Sequence, residues 1–199
     1  MKISTSRYKK LDPNKIFFIS DPHLGHAKVI EYDNRPFKDL DDMHTQIIAN
    51  WNSVIGKTDL VFINGDFALS TVEDVIHWCS QLNGRKVLIP GNHDYRWLSK
   101  YKTHMTAFEY IMPQMEITVN DPDLDRAQHI TLSHYAMLTW PNSHRESWQL
   151  FAHSHGKLNG DPRLSPRQID MYCGDHGYTP WSYYEIKEQI IKQIQNSKL

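Results

Sequence analysis

Cysteine is nearly missing from this sequence: Cys79 and Cys173 are the only two, without C-x-x-C spacing. That excludes a disulfide framework and fits a reducing, cytoplasmic setting. Long apolar runs are missing as well. Stretches such as Ile16-Phe17-Phe18-Ile19 and Leu60-Val61-Phe62-Ile63 fall far short of the roughly 20 residues that span a bilayer, so no membrane partner is expected. Met1 to Lys15 carries basic residues but no apolar h-region or small-residue cleavage site, which argues against export. Neither sign of charge is in excess: 22 Lys+Arg against 23 Asp+Glu leave a net charge of -1 with neutral histidines. No global basic field is available to grip a nucleic acid backbone, and any polyanion must be held locally. Internal repeats, low-complexity tracts and Gly/Ser- or Pro-rich linkers are absent, so residues 1–199 read as a single domain.

What the chain does have is histidine, 12 residues of it, the commonest metal ligand and the side chain that titrates near neutrality. Their placement follows from the elements. Short Ile-, Val- and Phe-rich runs bounded by Asp, Gly, Asn and Pro read as buried strands: Lys15–Ser20, Leu60–Ile63, Lys86–Ile89, Ile117–Val119, His129–Ser133, Gln149–Ala152 and Gln168–Cys173. Apolar residues recur at helical spacing over Leu40–Ile55, Val72–Leu82 and Tyr183–Ser197. Ser70 with Glu73 forms a capping-box pattern before the second of these, and Gly84 supplies a stop after it. Strands alternating with helices predict a mostly parallel first half. In the second half, strands follow one another across loops, which predicts a second, more antiparallel sheet.

Five polar motifs come directly after predicted strands: Asp21-Pro22-His23, Gly65-Asp66, Gly91-Asn92-His93-Asp94, Ser133-His134 and His153-Ser154-His155. Ligands of open α/β sheets bind outside the carboxyl ends of the strands, so motifs from five strands can converge on one site. Taken singly they are weak: Asp-x-His occurs widely, and Gly-Asp is an ordinary strand-end turn. Together they offer carboxylates, imidazoles and one amide oxygen but no thiolate, a set suited to manganese, iron, zinc or nickel. One tetrahedral zinc would leave ligands unused. Seven candidates suit two cations sharing a carboxylate, the arrangement that clamps the oxygens of an in-line displacement at phosphorus.

The series DxH, GD, GNHD, H, HxH, in this order from Asp21 to His155, resembles the calcineurin-like metallophosphoesterase family. The surrounding text, Phe18 to His26, Asn34-Arg35-Pro36-Phe37 and His134-Tyr135-Ala136-Met137-Leu138, is similar to its small bacterial and phage members. The resemblance implies an α/β fold, a four-layer αββα sandwich of two mixed β-sheets flanked by helices, with the active site on loops at the sheet edge. It places Asp21, His23, Asp66 and His155 on one divalent metal and Asp66, Asn92, His134 and His153 on the other, Mn²⁺ being favoured over Fe, Zn or Ni. Asp66 then bridges, and the metals activate a bridging water for direct attack on a phosphate mono- or diester. His93 is implied as the acid that protonates the leaving oxygen, with Asp94 orienting it and raising its pKa. Ala152 departs from the glycine usual before HxH, and its methyl either crowds the backbone or adopts an allowed conformation.

Other residues have less defined readings. His26 touches substrate or a ligand, or only hydrogen-bonds its loop. Arg35 and the loop Pro141–Gln149, with His144, Arg145 and Trp148, could grip phosphate and stack a base, although a solvated loop is the plainer reading. His44, His77, His104 and His129 read as packing or surface residues, and Asp175-His176 has no evident partner. The expected substrate is a phosphorylated small molecule, a nucleotide or a short nucleic acid. A metal-binding but catalytically silent interaction scaffold and a nuclease of longer DNA or RNA are the alternatives. Oligomeric state is not readable from the sequence.

Overall fold

A computed structural model describes residues 8–102 and 106–197; His104 falls outside them. The strands in chain order are β1 (Ile16–Ile19), β2 (Leu60–Ile63), β3 (Arg85–Leu88), β4 (Tyr110–Ile111), β5 (Gln114–Val119), β6 (Gln128–Ser133), β7 (Trp148–Phe151), β8 (Gln168–Asp170) and β9 (Trp181–Ser182). The α-helices are α1 (Lys28–Tyr32), α2 (Leu40–Val54), α3 (Val72–Gln81), α4 (Tyr95–Leu98) and α5 (Tyr183–Asn196). Two mixed sheets result, in the orders β4-β3-β2-β1-β9 and β5-β6-β7-β8.

Strand alternation explains the layering. Ile16 and Phe18 of β1, Leu60 and Phe62 of β2, and Val87 of β3 point into a core shared with Ile117, Ile130, Leu132, Leu150 and Ile169 of the second sheet. The intervening residues Ile19, Val61, Ile63 and Leu88 point the other way, onto Met43, Ile47 and Trp51 of α2 and Val72, Val75 and Trp78 of α3. Burial on both faces is why these strands read as unbroken apolar runs. Tyr183, Ile186 and Ile190 carry α5 into the core between the sheets. No helix of the described residues is long and apolar enough to cross a membrane.

The second sheet is the more antiparallel of the two through its β5–β6 pair, but β6–β7 and β7–β8 are parallel. Parallel neighbours need a long crossover, and here loops 134–147 and 152–167 supply it without an α-helix. The cap of α3 is one residue later than Ser70. Thr71 has the extended backbone of an N-cap and accepts from the Asp74 backbone N–H, while the Ser70 hydroxyl bonds the Asp74 carboxylate. The short elements α1, α4, β4 and β9 were not predicted, since two to five residues carry too little periodicity to register.

Parallel strands end at a common edge. Beyond them the backbone keeps pairing, with Ser20 bridged to Tyr172 and Leu24 to Ala68, both parallel, and Asn64 Nδ2 donating 2.9 Å to the Leu150 carbonyl. The carboxyl ends of β1 and β2 thereby meet those of β7 and β8.

Phe62 is fully buried, stacked on Phe18 at 5.5 Å and edge-on to Tyr8 at 5.8 Å. Phe62→Ala should lower stability by about 3–5 kcal/mol, whereas Val54→Ala, at a side chain 41% exposed, should stay within about 0.5 kcal/mol. Urea unfolding of the two variants measures both, and equal small losses would contradict a shared inter-sheet core.

Candidate active site

The loop after β1 lies along the loop after β2: Asp21 N–H donates to the Gly65 carbonyl at 3.0 Å, His23 to Asp66 at 3.1 Å and Leu24 to Phe67 at 3.0 Å. These loops are wound tightly. Ten non-glycine residues among those described have positive φ, and five of them are Asp21, His23, Asp66, His153 and His155. Such conformations each cost of order 1–3 kcal/mol and persist only where the surroundings enforce them. Gly65, at φ +93°, has no room for a side chain: a Cβ would meet the His134 ring and the Gly91 backbone N at 2.6 Å. Ala152 is buried without positive φ, so its methyl is accommodated in an allowed conformation.

Asp66 Oδ2 lies 3.7 Å from His23 Nε2, 3.9 Å from His93 Nε2 and 3.6 Å from His134 Nε2. His23 Nε2 and His155 Nε2 face each other at 3.1 Å, and Asp21 Oδ1 is 3.9 Å from His155 Nε2. Asn92 Oδ1 sits 3.3 Å from His134 Nε2. Three overlapping groups, Asp21/His23/His155, His23/Asp66/His93 and Asp66/His134/His153, each bring their candidate ligand atoms within 4.8 Å of one another. The His26 ring is 5.5 Å from that of His23 and 5.6 Å from that of His93. Five motifs from five strand ends therefore meet in one place.

The rings are aimed from behind. His134 Nδ1 lies 2.8 Å from the Asn64 carbonyl, an acceptor only, so Nδ1 carries a proton and Nε2 is turned inward. His155 Nδ1 is 2.7 Å from Asp33 Oδ2 with the same consequence. Asp33 also accepts from Tyr172 Oη at 3.0 Å and pairs with Arg35 Nη2 at 3.2 Å, and the His155 ring lies parallel to that of Tyr172. Asp33 was missed in the sequence. It precedes the Asn34–Phe37 stretch directly, and its contacts with His155 and Tyr172 are made only after folding.

Several predicted residues sit elsewhere than expected. The Arg35 guanidinium is buried beneath the site, donating from Nη1 to the Pro22 carbonyl and from Nη2 to the Asp21 carbonyl, both at 2.9 Å, so it braces the loop and is turned away from any substrate. Arg145 follows Asn142 in a turn against Arg126 and Gln128, at the amino end of β6 and thus the opposite end from His134. Trp148 is buried in β7. Asp94 does not orient His93. Its carboxylate accepts from the Gly91 N–H at 3.0 Å and from the Ala68 N–H and Trp97 Nε1, each at 3.2 Å, and so fixes the turn that carries His93. His44 Nε2 accepts from Gly25 N–H at 2.8 Å. Asp175 holds Asn159 at 3.0 Å, and His176 stacks on Trp181 at 3.9 Å.

Burial dominates the electrostatics. It raises Asp21 to about 7 against the pull of His134 and His155, raises Asp94 to about 7, and holds His23 well below the usual imidazole range. Burial would also raise Asp66, but hydrogen bonding and charge from His134, with the His93 N–H and His23, bring it to about 2. His134 and His155 move upward because Asp66 and Asp33, respectively, outweigh their burial. Asp21 Oδ1 and His23 Nδ1 are buried without a hydrogen-bond partner. An orphaned carboxylate oxygen, facing ring nitrogens and an all-O/N donor set fit a hard-to-borderline divalent cation.

Comparison with known proteins agrees with this chemistry. The family described as calcineurin-like phosphoesterase matches residues 14–183. An uncharacterized protein of Methanocaldococcus jannaschii is 30% identical over 93% of this chain and 94% of its own. The Gene 66 protein of Mycobacterium phage L5 is 40% identical over 90% of this chain and 94% of its own. A crystal structure of a protein of unknown function from Aquifex aeolicus superposes with a TM-score of 0.61 at 23% identity, over 87% of this chain and 97% of that one; it shares the fold.

A buried brace and an exposed side chain away from the site respond differently to removal. Arg35→Met strands the buried Asp33 carboxylate and two carbonyls and should destabilise the protein by about 3–5 kcal/mol, while Arg145→Ala should change stability by no more than about 0.5 kcal/mol. Thermal and urea unfolding compare them; an Arg35→Met protein of undiminished stability would contradict the bracing role.

Proposed function

The chain belongs to the calcineurin-like phosphoesterase family, and from this membership and the clustered carboxylates and imidazoles we propose that it hydrolyses phosphate mono- or diesters with two divalent cations. Asp21, His23, Asp66 and His155 would hold one cation, and Asp66, Asn92, His134 and His153 the other. The observation that carries the reading is Asp66, whose one carboxylate faces imidazoles from three different loops at 3.6 to 3.9 Å. When bound, such a pair supplies Lewis acidity that makes water nucleophilic near neutral pH and offsets phosphoryl charge. Manganese is the favoured metal, with iron, zinc or nickel as substitutes that the same donors accept.

The remaining chemistry belongs to the side chains. Neutral Asn92 limits the negative charge of the site, so an anionic ester is not repelled. Water adds to phosphorus as the P–O ester bond breaks, and the leaving oxygen keeps the electron pair and needs a proton. His93 is placed to give it: its backbone N–H is anchored on Asp66 Oδ1 at 2.9 Å, while its side chain remains 32% exposed, open to an arriving substrate. Such help is worth about 10²- to 10⁴-fold. Asp33 acts through His155, fixing the tautomer and direction of that ring.

Elemental analysis of manganese-reconstituted protein, with turnover of bis-p-nitrophenyl phosphate, is the direct test. Two metals per chain and hydrolysis are expected; absence of either overturns the proposal. Asp66→Asn should lose metal. His93→Ala should keep it and lose about 10²- to 10⁴-fold on esters with poor leaving groups but less with nitrophenol, equal losses contradicting a leaving-group acid. Asp33→Ala should weaken metal affinity by about 10- to 100-fold, measured by competition with a chromogenic chelator; an unchanged affinity would exclude the positioning role.

A further inference from the structure

Aromatic rings, and not the two arginines expected there, stand at the rim of this cluster. Tyr135 directly follows His134, is 52% exposed, and has its ring centroid 5.0 Å from that of His134 and 4.8 Å from that of His153. On the other flank Tyr32, 68% exposed, stands edge-on to His26 at 6.3 Å, and His26 in turn adjoins His23 and His93. Tyr95, the residue after Asp94, is 56% exposed. A lone exposed tyrosine needs no explanation. Two against the histidines of one polar cluster, leaving apolar surface in water, require one.

The backbone that carries Tyr135 is also anchored. Its carbonyl accepts from Ser133 Oγ at 2.8 Å and Gln149 Nε2 at 3.0 Å. Two residues on, the Met137 N–H donates to Gln149 Oε1 at 3.1 Å and the Met137 carbonyl accepts from Gln168 Nε2 at 2.9 Å. Gln149 and Gln168 are buried within β7 and β8. Two core glutamines thus brace a loop whose ring faces solvent beside the site, the preorganisation that lowers the entropic cost of binding a flat ligand.

We infer that Tyr135 is a stacking platform for an unpaired nucleobase, and that the ester this site accepts is a short single-stranded nucleotide diester. This rests on the phosphoester-hydrolase reading and narrows it. Phosphorus at the cluster has Tyr135 on the His134–His153 side and Tyr32 on the His26–His93 side. A monoester offers a substituent to one flank only, whereas a diester offers one to each. A base within a duplex has its faces already covered, and an unpaired base does not. The chain's balanced charge gives no hold on a long polyanion, which keeps the ligand short and leaves stacking to supply affinity.

The test is calorimetric titration of manganese-reconstituted His93→Ala protein, which slows cleavage of the probe by about 10²- to 10⁴-fold, with tetrathymidylate and with a tetramer of equal phosphate count bearing tetrahydrofuran in place of the bases. Tetrathymidylate should bind about tenfold or more tightly, the value of stacking a base on an aromatic ring. Adding Tyr135→Ala should abolish that preference, and Tyr135→Phe should keep it; unaltered thermal unfolding of the exposed-site variants separates stacking from structural damage. Equal binding of the two tetramers, or a preference that survives Tyr135→Ala, overturns the platform. Turnover of bis-p-nitrophenyl phosphate by the unsubstituted protein is scored separately. If that turnover occurs without base preference, only the platform fails; if Tyr135-dependent binding occurs without turnover, only the hydrolase reading fails.

Discussion

Asp66 is the point on which the site depends, because loops from both sheets meet there. Its carboxylate is held by the His93 N–H and faces His23, His93 and His134, so loops after β1, β2, β3 and β6 have their polar ends fixed relative to one buried anion. Uncompensated burial would neutralise a carboxylate; the surrounding donors keep it ionised. Everything else in the site arranges further nitrogens and oxygens about that fixed charge. The strained backbone at Asp21, His23, Asp66, His153 and His155 is the structural cost of aiming side chains from adjacent positions at one point, and it is met by the pairing that continues past the strand ends.

Behind the cluster lies a second, quieter arrangement. Arg35 donates to the carbonyls of Asp21 and Pro22 and pairs with Asp33, and Asp33 holds His155 and Tyr172. The ion pair links the turn after α1 to loops from both sheets. Asp94 plays the corresponding part for the turn bearing Asn92 and His93. Asp33 and Asp94 are each engaged by donors whose removal would leave a carboxyl group unsatisfied, which is why these residues belong to the framework of the site as much as the inward-facing ones.

How far this was legible in the sequence follows from what each feature depends on. Buried strands and the helices α2, α3 and α5 announce themselves through period and length, and the motifs after the strands follow from the rule that places ligands at carboxyl ends. Tertiary partnership is not encoded locally. Nothing near Arg35 in the chain says that its guanidinium faces backbone carbonyls, and nothing near Asp94 says that Trp97 and Ala68 claim its carboxylate before His93 can. Arg145 was misplaced because a loop of unknown direction can return to either end of a strand. Parallel pairing of β6, β7 and β8 was hidden for a related reason: loops replaced the helices that usually signal a crossover.

The antiparallel pairing of β1 with β9, Phe17 opposite Ser182 and Phe18 opposite Trp181, joins the first and the last strand among the described residues. During synthesis the flank of β1 that β9 covers stays open until Trp181 and Ser182 have left the ribosome, presenting unsatisfied backbone groups next to Phe17 and Phe18. An open edge of this kind is a template for pairing with another nascent chain. Arrival of β9, with α5 attached and capped by Ser182 and Glu185, closes that edge after the rest of the first sheet has formed, so β9 and α5 act as its latch.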